Sequence, residues 1–153
     1  IKIDDNMQTL GMRLCEIGAH SMLSVLKDIK NDSIKSYPQN SEEMTLAPKI
    51  TKEMLLINWS WTAKKIHNWI RGLSPYPGMH TLFKNRKVRI FKTKVFKGSG
   101  KEGVIVSLDK ESCLIGTGYQ LISILEIQLE GKKKMNISEF LMGANFSEGS
   151  TLG

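Results

Sequence analysis

From His80 onward the chain runs as short β-branched or aromatic segments separated by turn residues, and this pattern constrains the fold most. Leu82-Phe83, Val88–Val95, Gly103–Leu108, Cys113–Thr117 and Leu121–Leu129 read as strands. Asn85, Gly98–Gly100, Asp109–Ser112 and Gly116–Gly118 supply the turns. Five such strands predict a mainly β fold, a small barrel or sandwich. Helical spacing occurs only around them. Cys15, Ala19, Met22, Leu26 and Ile29 form one apolar stripe over residues 9–30, with Thr9 as the expected N-cap. A helix this amphipathic needs a body to pack on. Ala63, Ile66, Ile70 and Leu73 share a face of a second helix, capped by Ser60 or Thr62 and ended by Gly72 and Pro75. Residues 31–48 carry connector chemistry, Ser74–Gly78 is a rigid turn, and Asn136–Met142 is a short closing helix.

Charge narrows the function. The 153 residues carry a net charge of +7, unevenly spread. Residues 1–47 hold five bases and seven acids, and residues 135–153 two acids and no base, so residues 48–134 concentrate +11. Lys84, Arg86, Lys87, Arg89, Lys92, Lys94 and Lys97 fall within fourteen residues without an acid, and Lys132, Lys133 and Lys134 form a second cluster. Such a field attracts a polyanion, nucleic acid first. A solvated basic face and an anionic membrane surface are the competing readings.

Catalytic constellations are thin. His20, His67 and His80 have no metal-ligand spacing, and no nucleophile elbow, P-loop or zinc-protease motif occurs. Gly98-Ser99-Gly100 opens no helix and is a turn; Asp109 and Glu111 sit in another. Cys15 and Cys113 are too few for a disulfide scaffold and read as reduced thiols. No run of about 18 apolar residues occurs, which argues against a membrane-spanning helix. The residues therefore predict a binding module with no catalytic residue and no metal site. Trp59, Trp61 and Trp69 are either core or a stacking platform for bases, and Trp59 and Trp61, on either side of Ser60, are expected to point apart. Arg71 either meets phosphate or holds the turn after the second helix.

Several words in fixed order carry a resemblance. They are Ala47-Pro48-Lys49-Ile50-Thr51-Lys52-Glu53, then Ile57-Asn58-Trp59-Ser60, Ile66-His67-Asn68 and Ile70–Gly78, and finally Leu125–Met135 followed by Glu139-Phe140-Leu141. Together they resemble the methionyl-tRNA formyltransferase family over essentially the whole chain. Asn58 stands where the family usually has Asp, and Tyr76 where Trp is common.

The resemblance implies a C-terminal part of such an enzyme. Residues 1–36 would be the last helix of a Rossmann-like formyltransferase domain, residues 37–53 a linker, and residues 54–153 an OB-like, five-stranded Greek-key barrel that binds tRNA. The parent enzyme would transfer a formyl group from 10-formyltetrahydrofolate to the amino group of initiator methionyl-tRNA. The family's catalytic Asn, His and Asp lie in motifs not matched here, so no catalytic or cofactor-binding residue is carried over. A chain opening on Ile1 is then expected to continue a longer one, to be cytoplasmic and monomeric, and to be inactive alone. Lys49, Lys52, Lys132 and Lys133 match basic positions of the family. Lys84, Arg86, Lys87, Arg89, Lys92 and Lys94 are added from charge density. A sugar-nucleotide formyltransferase subdomain and a free-standing RNA-binding module are the alternatives. The first needs no extended basic field, and the second would not begin with an orphan helix.

Overall fold

The computed structural model describes residues 1–143 and 146–153. Helix α1 (Met7–Lys30) leads through a segment that is exposed as far as Glu53, and then through buried Ile57 and Trp59, to helix α2 (Ala63–Gly72). Six strands follow: β1 (Met79–Phe83), β2 (Arg86–Phe96), β3 (Ile105–Leu108), β4 (Cys113–Gly116), β5 (Leu121–Leu129) and β6 (Met135–Asn136). Helix α3 (Ile137–Gly143) comes last. The strands form one antiparallel sheet in the order β1-β2-β5-β4-β3, with β6 on β5. The β2-β5-β4-β3 portion has Greek-key order.

The core follows the predicted periodicity. Ile66 and Ile70 of α2 meet Val88 and Ile90 of β2, Ile115 of β4, and Ile122, Ile124 and Ile127 of β5 in one buried cluster. Phe140 and Phe146 stack edge-on at 4.9 Å, and Phe146 meets Phe83 at 4.5 Å. Thr62 caps α2, its side chain accepting from the Lys65 amide at 3.2 Å.

Two expectations need correction. The first helix starts earlier than residue 9. Asn6 is its N-cap, and Thr9 serves three residues in, where the two side chains accept each other's backbone N–H at 2.9 and 3.0 Å. Its apolar stripe, expected to belong to an orphan helix, is exposed at Met22, Leu26 and Ile29. The expected closed five-stranded barrel is, in the described residues, an open six-stranded sheet. Its edges β1 and β3 do not pair because the segment 149–153 stands between them. Ile105 donates to Ser150 O, Leu152 to Gly103 O and Gly153 to Leu82 O, at 2.8 to 2.9 Å. That strap carries no strand-like pattern of its own, so the sequence offered no reason to place it there.

One glycine shows how tightly the entry to α2 is held. The Gly118 N–H donates to the carbonyls of Trp59 at 3.0 Å and Trp61 at 3.1 Å. A methyl group on Gly118 would run into the Ser60 carbonyl, which is backbone and cannot swing aside. Gly118→Ala is expected to destabilise the fold by about 3 kcal/mol in chemical denaturation. Gly72→Ala, which meets open space at the end of α2, should be neutral or slightly stabilising.

Candidate nucleic-acid interface

Strand β2 carries the basic run, and its register decides which way the cations point. Val88 and Ile90 are buried, so Lys87 and Arg89 take the opposite face. Strict alternation would then turn Lys92 and Lys94 inward. It is broken: Ile90 pairs with Ile127 and Lys92 with Glu126, leaving Phe91 as an extra residue, and the next pair skips Leu125 on β5. These paired bulges shift the alternation by one, so Thr93 is buried and Lys92 and Lys94 are exposed.

The hairpin tip adds to this face. Lys84 and Asn85 both have positive φ, 49° and 61°, which makes the two-residue turn between β1 and β2 and holds Lys84 out at its end. Arg86 Nη2 donates to Glu130 O at 3.4 Å and the Glu130 amide to Lys87 O at 2.9 Å. The hairpin thus lies beside the β5–β6 turn that carries exposed Lys132 and Lys133. Lys87, Arg89, Gln128, Glu130 and Gly131 line a shallow groove of about 250 Å³ between them. Lys49 and Lys52 are exposed on the segment before α2 and join no such cluster.

Most of these cations have no internal partner. Among the described residues the ion pairs are Arg13–Asp5 at 2.6 Å and Lys134–Glu126 at 2.7 Å. Lys134 is therefore neutralised, while Lys87, Arg89, Lys92, Lys94, Lys132 and Lys133 face water. His80 lies opposite Arg89 on β1, and burial together with the Lys87 and Arg89 charges holds its pKa below the ordinary histidine value.

A larger cleft of about 780 Å³ opens between residues 3–8, α2 and β2, with Lys64, His67, Asn68, Arg71, Lys92 and Lys94 among its lining. His67 Nδ1 sits 2.9 Å from Thr93 Oγ1. Burial, then the Arg71 charge, lowers its pKa. This cleft and Arg71's contacts were not read from the sequence, because they join residues more than sixty positions apart. The β2 parity change, odd cations at 87 and 89 and even ones at 92 and 94, was a readable sign of the bulge.

The two readings of the tryptophans separate. Trp59 is 7% exposed and donates from Nε1 to Thr81 Oγ1 at 3.2 Å, a core role. Trp61 points the other way, 5.4 Å from Trp69 and tilted by 46°, with Lys65 Nζ 3.9 Å from its ring centre. Both are partly buried against the core. Among the described residues no group of three His, Cys, Asp or Glu could hold a metal, and no helix is long and apolar enough to cross a membrane.

Fold and charge together define an antiparallel β domain with one basic, solvent-facing edge. Residues 49–145 match the model of the formyl transferase C-terminal domain, and the chain belongs to that family. It is 40% identical to a methionyl-tRNA formyltransferase of Caldanaerobacter subterraneus over 99% of this chain and 50% of that protein. It is 42% identical to the one of Carboxydothermus hydrogenoformans over 85% and 43%. Against that of Streptococcus sanguinis the identity is 36% over 100% and 50%. The chain thus spans about half the length of these curated relatives. Among solved structures, HypX from Aquifex aeolicus in complex with tetrahydrofolic acid shares the fold, with TM-score 0.58 and 21% identity over 80% of this chain and 22% of that one.

Proposed function

We propose that this chain is the tRNA-binding C-terminal part of a methionyl-tRNA formyltransferase, cytoplasmic and monomeric. The observation that carries the reading is the set of unpaired cations that the β2 bulge keeps on the solvent side, beside the β5–β6 turn. Phosphate contacts from Lys84, Arg86, Lys87, Arg89, Lys92, Lys94, Lys132 and Lys133 would hold the initiator tRNA without reading its bases. Lys49 and Lys52 would add contacts from the linker. The parent enzyme would move a formyl group from 10-formyltetrahydrofolate to the amino group of the methionyl-tRNA.

The folate would be held by the rest of the parent enzyme. Residues 1–36 are read as the end of the catalytic domain, 37–53 as the linker and 54–153 as the tRNA-binding domain. The exposed stripe of α1 would be covered by the rest of that catalytic domain. The sheet, strapped by residues 149–153, would be the family's OB-like barrel opened along one seam.

Titrating initiator tRNA into the chain between 50 and 200 mM salt tests this. Log K should fall against log salt with a slope of about −4 or steeper, since each neutralised phosphate contributes roughly 0.7 to 0.9. A flat response would remove the phosphate-contact reading, and formyl transfer by this chain alone would refute the division of labour.

A further inference from the structure

Arg71 is half-buried on the cleft side of α2, and its guanidinium reaches across to the chain that leads into α1. Nη1 donates to Asp5 O at 3.0 Å and to Lys2 O at 3.3 Å, while Nε donates to Asn68 Oδ1 at 2.9 Å. Among the described residues these two Nη1 bonds are the only hydrogen bonds between residues 1–50 and residues 57–153. No ion pair crosses there either. The apolar stripe of α1 adds nothing, because it is exposed.

The acceptor side is braced. Asp5 is 4% exposed, and its carboxylate takes Arg13 Nη1 at 3.0 Å and Nη2 at 2.6 Å. The same carboxylate accepts the Lys2 amide. These bonds from Arg13 and Lys2 hold it well below the usual carboxylate range. A run from Arg13 through Asp5 to Arg71 and Asn68 therefore joins α1 to α2. It also sets the mouth of the 780 Å³ cleft, which Arg71 and Asp5 both line.

We infer that Arg71 is the positioning residue that pins α1, and the body α1 belongs to, at one orientation relative to the basic face of β2. The last step rests on the function proposed above: tRNA held on β2 would then meet the catalytic half at one distance. Arginine suits the task. One planar group serves three acceptors at once, whereas a lysine ammonium at the same site could not keep all three in a fixed fork.

The pin can be read in this chain without any tRNA. Cys15 is exposed on α1, while Cys113 is fully buried and burial pushes its thiol up to about 12, so spin labels go to Cys15. A second label at K101C, on the exposed β2–β3 connection, reports the distance from α1 to the sheet. The unmodified Arg71 chain should give one narrow distance distribution, R71A a broad one and R71K an intermediate one. Thermal melting of the sheet should not change. A narrow, unshifted distribution in R71A overturns the pin.

In the longer parent protein R71A should lower kcat/KM for methionyl-tRNA about tenfold, the scale of one charge-assisted hydrogen bond. The tRNA Kd and its salt slope should stay put. An unchanged kcat/KM overturns the positioning role. Loss of all tRNA binding by the unmodified protein would instead refute the proposed function, with the spin-label result standing apart from it.

Discussion

Replacing Lys87, Arg89, Lys92 and Lys94 together by alanine should weaken tRNA binding at least about a hundredfold near physiological salt. The slope of log K against log salt should flatten by about three to four, close to one for each phosphate that is no longer neutralised. The two effects belong together. A cation that meets phosphate releases a counterion, so its removal changes both the affinity and the way salt competes. A cation that matters only for folding changes affinity without moving the slope. The fold should tolerate the change. Arg89, Lys92 and Lys94 are exposed, and none of the four makes an ion pair among the described residues. Alanine costs some β propensity, but the buried alternation of Val88, Ile90 and Thr93 stays in place. Lys27, Lys30 and Lys35, which lie in the acidic first part of the chain, give the matched control. Their triple alanine variant should leave both affinity and slope nearly unchanged. Electrophoretic mobility or fluorescence titration at four salt concentrations would read both quantities.

The four positions also show what a sequence can and cannot reveal. Their density in an acid-free stretch is plain in the residue order, and so is a strand through Val88 and Ile90. Which way they face is hinted at by the change from odd to even positions but is fixed only by strand pairing. It depends on the extra residue at Phe91 and the matching one at Leu125, which exist only once β2 is laid against β5. Helix α1 is the converse case. Its stripe was readable and its helix formed, yet none of the helix's apolar residues is buried here. Trp59 and Trp61 take different sides because the chain turns between them, the Trp61 amide donating to Asn58 O at 3.2 Å; in an extended strand residues two apart would share a face. The open seam was not readable, since Gly149–Gly153 has only Thr151 and Leu152 to mark it as strand-like. Arg71 was visible as a helix-end cation; that its carbonyl acceptors are Lys2 and Asp5 is a matter of tertiary placement.

Trp59→Ala should destabilise the domain by about 4 kcal/mol, the cost of a deleted buried indole and the cavity left behind. Three separate things meet at this ring. Its Nε1–H serves Thr81 Oγ1, which is itself fully buried and would be left without that donor. Gly103 passes so close that a Cβ there would lie 3.1 Å from Trp59 Cδ1. A Cβ on Gly153, at the end of the strap, would lie 3.9 Å from the same atom. The indole therefore supports the strap that stands between β1 and β3 as well as the core. Trp59→Phe separates the contributions: it keeps most of the packing and loses the hydrogen bond, and should cost about 1 to 2 kcal/mol. Trp61→Ala, partly exposed on the opposite side, should cost less than Trp59→Ala in the same denaturation experiment. Hydrogen exchange then reads the strap directly. The Leu152 and Gly153 amides, which donate to Gly103 O and Leu82 O, should lose protection in Trp59→Ala well before the amides of β2 and β5 do. If they exchange no faster than in the unsubstituted chain, the strap is held by its own backbone ladder, and the indole is core filler alone.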